Sequence, residues 1–270
     1  MKVQGLRFNS LRFLLILIFS LVSFYFTQIT DSYAAHPLIT DDTGTQGKGK
    51  VQIEINSVFS RDKEKESGVT IKERGGELAT IISYGITDNA DIVLGIPYQW
   101  FRIKENDLTV EKEDGLSDIS LELKRRFFEK DRLSLALKPG ITLPTGDEDK
   151  GLGIGRVTYS LFFITTKEIE PWAFHINLGY IRNENKVDER KDLWHISLAS
   201  ELKVTKDLKA VANIGIERNP EKTSNTHPAF ILGGLIYSLI ENIDIDFGIK
   251  GGLNKPEKDL TFLVGISLRF

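Results

Sequence analysis

The last eleven residues constrain this chain most. Leu260, Phe262, Val264, Ile266, Leu268 and Phe270 alternate with Thr261, Leu263, Gly265, Ser267 and Arg269. A period of two means an extended strand, because successive side chains point to opposite faces. Asp259 to Phe270 also meets the ~9–11 residues that a tilted strand needs to cross a bilayer. The apolar face would meet lipid and the mixed face a lumen. In lipid, a strand must have all its backbone groups paired, so only a closed barrel can contain it. The ending therefore sets terms for the whole mature chain.

The same alternation recurs upstream. Ile92, Leu94, Ile96, Tyr98 and Trp100 form one apolar face, and Trp172, Phe174, Ile176, Leu178 and Tyr180 another. Trp194, Ile196 and Leu198 oppose His195 and Ser197. Ile243, Ile245, Phe247 and Ile249 oppose Asp244, Asp246 and Lys250. Weaker alternation starts at Val51, Leu78, Ile119, Leu133, Val157 and Leu208. Ala229 to Leu239 is apolar on both faces, so its facing is open. This predicts twelve strands. Their connections alternate between five short turns and six longer charged loops, near 60–76, 102–116, 144–155, 182–191, 218–227 and 252–258. An even strand count with alternating loop lengths fits a barrel with both termini in the periplasm. The competing architecture is a soluble β-sandwich. Aromatics near strand ends, as at Tyr98, Trp100, Trp172, Tyr180, Trp194 and Tyr237, favour the barrel, where they would form interfacial girdles.

The N-terminus agrees with export. Lys2, Arg7 and Arg12 precede an apolar run from Leu14 to Phe26, and Ser32-Tyr33-Ala34 offers small residues for a peptidase. That is the layout of a secretory signal cleaved after Ala34. The run is short for a membrane anchor, which needs about 20 apolar residues. Without residues 1–34, the chain keeps 32 of 35 basic and 37 of 38 acidic residues, a formal charge of −5. Nucleic-acid binding, which wants a clustered basic face, gains no support. The absence of cysteine excludes thiol chemistry and Cys-ligated metals. The expected organisation is a leader (1–34), an N-terminal segment (35–49) and a barrel (50–270). The fold class is all-β: a twelve-stranded antiparallel transmembrane β-barrel with periplasmic termini, short periplasmic turns and longer extracellular loops. Its expected place is the outer membrane of a Gram-negative cell. Its expected partners are outer-membrane lipid, lipopolysaccharide and the barrel-assembly machinery, which would read the strand ending at Phe270.

Two motifs carry a family resemblance. One is His36-Pro37-Leu38-Ile39-Thr40-Asp41-Asp42-Thr43-Gly44-Thr45-Gln46-Gly47. The other is Leu143-Pro144-Thr145-Gly146-Asp147, followed by Gly151-Leu152-Gly153-Ile154-Gly155. Over nearly the whole mature chain, the sequence resembles the family named for the MetA pathway of phenol degradation. The resemblance implies an outer-membrane transporter-like barrel and, more weakly, an aromatic substrate.

Strand parity turns Glu54, Asp91, Glu122, Lys124, Lys138, His175, Asn177, His195, Asp244, Asp246, Lys250 and Arg269 to the lumen, with Glu77, Asp118, Lys203, Lys209 and Asn213. These could line a narrow path or a pocket. They could equally pair with one another and close it, since unpaired charge in a confined space is costly. His36, Asp41 and Asp42 lie in a segment too particular for a bare periplasmic arm, which favours a place in the lumen. They could also be imagined around a divalent ion, but nothing else supports that, and no metal or cofactor is expected. Pro97 and Pro139-Gly140 fall inside apparent strands, where proline removes a ladder donor. They mark a bulge or a kink that opens a gate.

An enzyme is the remaining class. His195-Ile196-Ser197 has the His-x-Ser spacing seen in outer-membrane phospholipase A. Here the pair faces the lumen, and Asn213 is the only visible third residue for a triad. The expectation is therefore no catalysis. The favoured reading is a passive channel for a small, hydrophobic or aromatic molecule. The alternatives are a closed barrel acting through its charged outer loops and a lipase-type hydrolase using His195 and Ser197.

Overall fold

The computed structural model describes residues 36–66 and 68–270. The expected leader and its cleavage site lie outside them. The strands are β1 (Val51–Glu66), β2 (Val69–Thr87), β3 (Ala90–Glu105), β4 (Leu108–Leu116), β5 (Ile119–Lys130), β6 (Leu133–Leu143), β7 (Thr158–Ile169), β8 (Trp172–Arg182), β9 (Asp192–Lys203), β10 (Leu208–Glu217), β11 (Ala229–Ile240), β12 (Ile243–Gly252) and β13 (Leu260–Arg269). Among the described residues, one 3-10 turn, Glu148–Lys150, interrupts them.

Each strand pairs antiparallel with its sequence neighbour. β4 and β5 are two stretches of one barrel strand: β4 pairs with the outer part of β3, along Tyr98–Glu105, and β5 with the inner part, along Ala90–Gly95. Counted once, they make a twelve-stranded wall. β13 closes it against β1, from Gln52↔Arg269 to Arg61↔Leu260. No strand edge is left open along that seam, as a membrane barrel requires.

The wall is apolar outside. Ile176, Leu178, Ile196, Leu198, Ile214, Phe247, Ile249 and Val264 are each 43–48 % exposed. Their inward neighbours His175, Asn177, His195, Ser197, Asn213, Asp246 and Thr261 are buried. A soluble monomer rarely exposes so continuous an apolar belt, so this one faces lipid. The inside-out burial excludes the sandwich, which would turn the same residues to a core.

Two expected loops are strand. Residues 59–66 pair with 69–76, and 98–105 with 108–116, in tall hairpins, β1–β2 and β3–β4, that continue the wall outward. The second turns at Asn106-Asp107, with φ of 46° and 70°. Positive φ at both central residues is the requirement of the tight turn that matches strand twist. Asp131-Arg132, between β5 and β6, turns in the same way. The run of charges masked the first hairpin in the sequence. β4 is exposed along most of its length, so its alternation serves no buried face.

The two internal prolines interrupt ladders. Pro97 pairs with Ala79 on β2, but β3 slips register against β4 and β5 between Tyr98↔Leu116 and Gly95↔Ser120. The break is bridged by Ser117 N–H donating to the Pro97 carbonyl at 2.9 Å. On β6, pairing with β5 stops at Glu122↔Gly140 and resumes at Arg125↔Leu137. Leu123 and Lys124 thus have no ladder partners where Lys138 and Pro139 stand opposite. Proline's missing N–H accounts for both positions. On their other sides the ladders run through Pro97 and Pro139 unbroken.

Candidate functional site

Residues 36–49 do not trail into the periplasm. They cross the periplasmic part of the lumen and then enter β1. Three glycines on the inner wall make room at the start. A Cβ on Gly248 would stand 2.7 Å from Pro37, one on Gly234 also 2.7 Å from Pro37, and one on Gly265 2.7 Å from His36. His36 Nδ1 lies 2.6 Å from Asp246. Leu38 packs against buried Val211 and Ile236 on one side and against Phe230, Leu232 and Leu263 on the other. This resolves the facing of β11. Its even positions are apolar because they receive Leu38 rather than water.

The polar half of the segment is bonded residue by residue. Asn213 Oδ1 accepts from the N–H groups of Ile39 and Thr40 at 2.8 and 3.0 Å, and its amide donates to Thr40 Oγ1 at 2.7 Å. Asp41 bridges Lys124 and Lys138, at 2.9 Å to each. Asp42 accepts from Lys124 at 3.1 Å. The Asn177 amide, oriented to suit both neighbours, accepts from the Asp41 N–H and donates to its carbonyl, at 2.7 and 2.8 Å. Thr43 meets Ser134 and Thr166, and Gln46 N–H donates to Asp91. Burial works against ionisation of Asp41, but the two ammonium groups outweigh it and hold the carboxyl below its usual range. Asp41 therefore stays charged. His36 and the Asp41–Asp42 pair are spent on separate partners, so they do not converge as a metal site.

Most of the other predicted lumenal groups are also paired, while Lys203 is exposed at the end of β9. Glu54 accepts from Gln52 and Asn56. Glu122 lies 3.3 Å from Lys138. His175 bonds Thr166 at 3.0 Å, with Glu201 beyond it and Lys209 on Glu201. Lys250 pairs with Glu257 at 2.8 Å. Arg269 bonds Asp244 and Gln52 at the periplasmic rim. The inner face of Gly140 packs near Ser160 and Glu122.

Toward the extracellular side, the lining becomes aromatic. Phe162 lies against Gly179 and Phe230 against Gly215, each too close for a Cβ on the glycine. The Phe162 ring is 5.9 Å from the His195 ring. Lys138 stands over Phe162 and Lys250 over Phe230, at 5.9 and 5.4 Å. His195 Nε2 is 2.9 Å from Ser197 Oγ, and its Nδ1 is 3.2 Å from Glu217.

That last contact corrects the sequence reading. Asn213 is held by Thr40 and is not the third partner; Glu217, paired with His195 across the β9–β10 ladder, is. The outline is that of an acid–imidazole–hydroxyl chain. Ser197 is only 2 % exposed, however, so its hydroxyl is closed to a solute in the lumen. Glu217 was missed because it ends a strand and looked like a loop charge. Phe162 and Phe230 were missed because adjacent Phe163 and Ile231 are apolar too, so the sequence did not separate inner from outer face.

The extracellular loops fold onto the rim. Asp118 accepts from the N–H groups of Gly146 and Ile154, at 2.9 and 3.0 Å, and so ties down the Pro-Thr-Gly-Asp loop. Leu152 of that loop is buried. Arg190 gathers the carbonyls of Asn219, Glu221, Lys222 and Ser224 from the next long loop.

The model of one family, described as "Putative MetA-pathway of phenol degradation", matches residues 37–270. Among solved structures, the COG4313 outer membrane channel from Pseudomonas putida F1 is similar with a TM-score of 0.67 at 15 % identity, over 85 % of this chain and 98 % of that one. The translocator domain of the autotransporter NalP from Neisseria meningitidis gives 0.54 at 14 % identity, over 83 % and 89 %. The KdgM porin gives 0.52 at 7 % identity, over 81 % and 99 %. At such identities the likeness is one of fold. No curated protein matches the sequence.

Proposed function

Because this chain belongs to the MetA-pathway phenol-degradation family, we propose that it is a passive outer-membrane channel for a small apolar or aromatic molecule. The observation that carries the reading is the content of the lumen. Besides wall side chains that pair with one another, it holds a separate segment, residues 36–49, whose polar half is held by hydrogen bonds and ion pairs that water and ions can replace. Phe162, half-buried, offers a ring along the extracellular side of the route. A ring in the lining suits an aromatic solute, which it can meet face or edge on. The ladder gap at Pro139 supports an exit in the wall as the continuation of this route. The mature protein would begin near Ala35 and insert through the assembly machinery by its final strand.

Reconstitution tests the reading. Liposomes containing the protein should take up phenol-like solutes faster than protein-free liposomes, while planar-bilayer ion conductance stays low. A variant lacking residues 37–46 should show stepwise ion conductance. If neither form passes solute or ions, the barrel is a closed structural element acting through its outer loops.

A further inference from the structure

Arg125 is out of place for a charge in this wall. Along β5 the inward residues are Ser120, Glu122 and Lys124; the outward ones are Ile119, Leu121, Leu123, Arg125 and Phe127. Arg125 is exposed, with Ala90 and Leu137 as its ladder neighbours. Its side chain has no hydrogen-bond or ion-pair partner among the described residues. A lipid-facing arginine is costly within the apolar band of a barrel and tolerable only near its edge. Arg125 lies in the periplasmic half of β5, one outward position before Phe127.

The wall beside it is dented. Leu123, Arg125, Phe127, Leu137, Pro139 and Leu161 line a recess of about 370 Å³ that is hydrocarbon apart from the guanidinium. Leu123 and Pro139 face each other across the ladder gap, so no backbone bond draws the strands together there. The rings of Phe127 and Phe163, 6.4 Å apart, flank it.

An apolar slot beside an unpaired guanidinium fits an acyl chain attached to an anion. A guanidinium grips a phosphate through two parallel N–H donors, which an ammonium cannot do. Its long apolar stem lets the charge reach from the band toward the nearer interface. That interface is periplasmic, because β5 descends to the turn at Asp131-Arg132. We propose that this recess is a specific site for an anionic phospholipid of the inner leaflet, with one acyl chain along Leu123, Leu137 and Leu161 and the phosphate on Arg125. The proposal does not rest on the transport reading; a solute leaving through the Pro139 gap would compete with this lipid for the recess.

Native mass spectrometry of the full mature barrel in mixed phosphatidylglycerol and phosphatidylethanolamine tests it. The wild type should retain one phosphatidylglycerol in preference to phosphatidylethanolamine. Arg125→Gln should lower that retention about tenfold, the size of effect expected from losing one charge-assisted contact. Leu137→Trp, which keeps the charge but fills the slot, should also abolish it. Heat-modifiable gel migration verifies that each variant is a folded barrel. Equal retention of the two lipids by the wild type overturns the proposal, and that measurement needs no variant. So do undiminished retention by Arg125→Gln and selective retention of lipid A, which belongs to the opposite leaflet.

Discussion

Asp41 of the lumenal segment lies 2.9 Å from Lys124 on β5, and its second oxygen lies 2.9 Å from Lys138 on β6. Lys124 and Lys138 stand opposite each other where the β5–β6 ladder is missing. One carboxylate therefore docks the segment and ties the two strands together at their weakest seam. Removing one member of a buried pair leaves the other charges uncompensated and costs about 3–5 kcal/mol. Asp41→Asn should release the segment without unfolding the barrel. Limited proteolysis of the detergent-solubilised protein should then cut within residues 36–49, and bilayer conductance should rise. Unchanged protection and conductance would mean that Asn213 and the glycine seats hold the segment unaided.

The glycine seats give a separate prediction. Gly248 faces inward, and a Cβ there meets Pro37 at 2.7 Å, whereas Gly233 has nothing within 4 Å. Gly248→Val should displace His36 and Pro37 and reproduce the conductance of the variant lacking 37–46. Gly233→Val should leave conductance at the wild-type level. The pair separates displacement of the segment from a general effect of placing valine in a barrel strand.

These contacts mark the limit of what the sequence discloses. The final strand was legible because Leu260 to Phe270 obeys a period of two, and its inner face is occupied in turn by Thr261, Leu263, Gly265, Ser267 and Arg269. The β3–β4 hairpin was not legible. It stands beyond the membrane, where no face must be apolar, so its sequence reads as a solvated charge run. The partners of Asp41 were not legible either. Lys124 and Lys138 could be placed in the lumen by parity, but their convergence depends on a segment more than 80 residues away in sequence. Periodicity carries facing; it carries no information on which inward groups meet.

The Ser197–His195–Glu217 chain predicts a negative result for hydrolysis. Its distances of 2.9 and 3.2 Å would let imidazole accept the hydroxyl proton. Ser197, though, is only 2 % exposed, so its hydroxyl is closed to a substrate. Fluorophosphonate should not label the wild type, and purified protein should not release fatty acid from phospholipid. Stoichiometric labelling lost in Ser197→Ala would replace the channel reading of this cluster with a catalytic one.

Pro139 supplies the last prediction. Its side chain faces the lipid, and the ladder with β7 runs through it unbroken, so the cost of proline falls on the β5 side alone. Pro139→Val restores an N–H where Leu123 can accept it. One recovered bond contributes about 0.5–1.5 kcal/mol, and valine suits a half-buried strand. The variant should therefore resist thermal unfolding slightly better than the wild type. If the seam serves as an exit, the same variant should take up apolar solutes more slowly while its ion conductance is unchanged, since the lumenal segment is untouched. Added stability with undiminished uptake would place the exit elsewhere and leave Pro139 as a device of wall curvature.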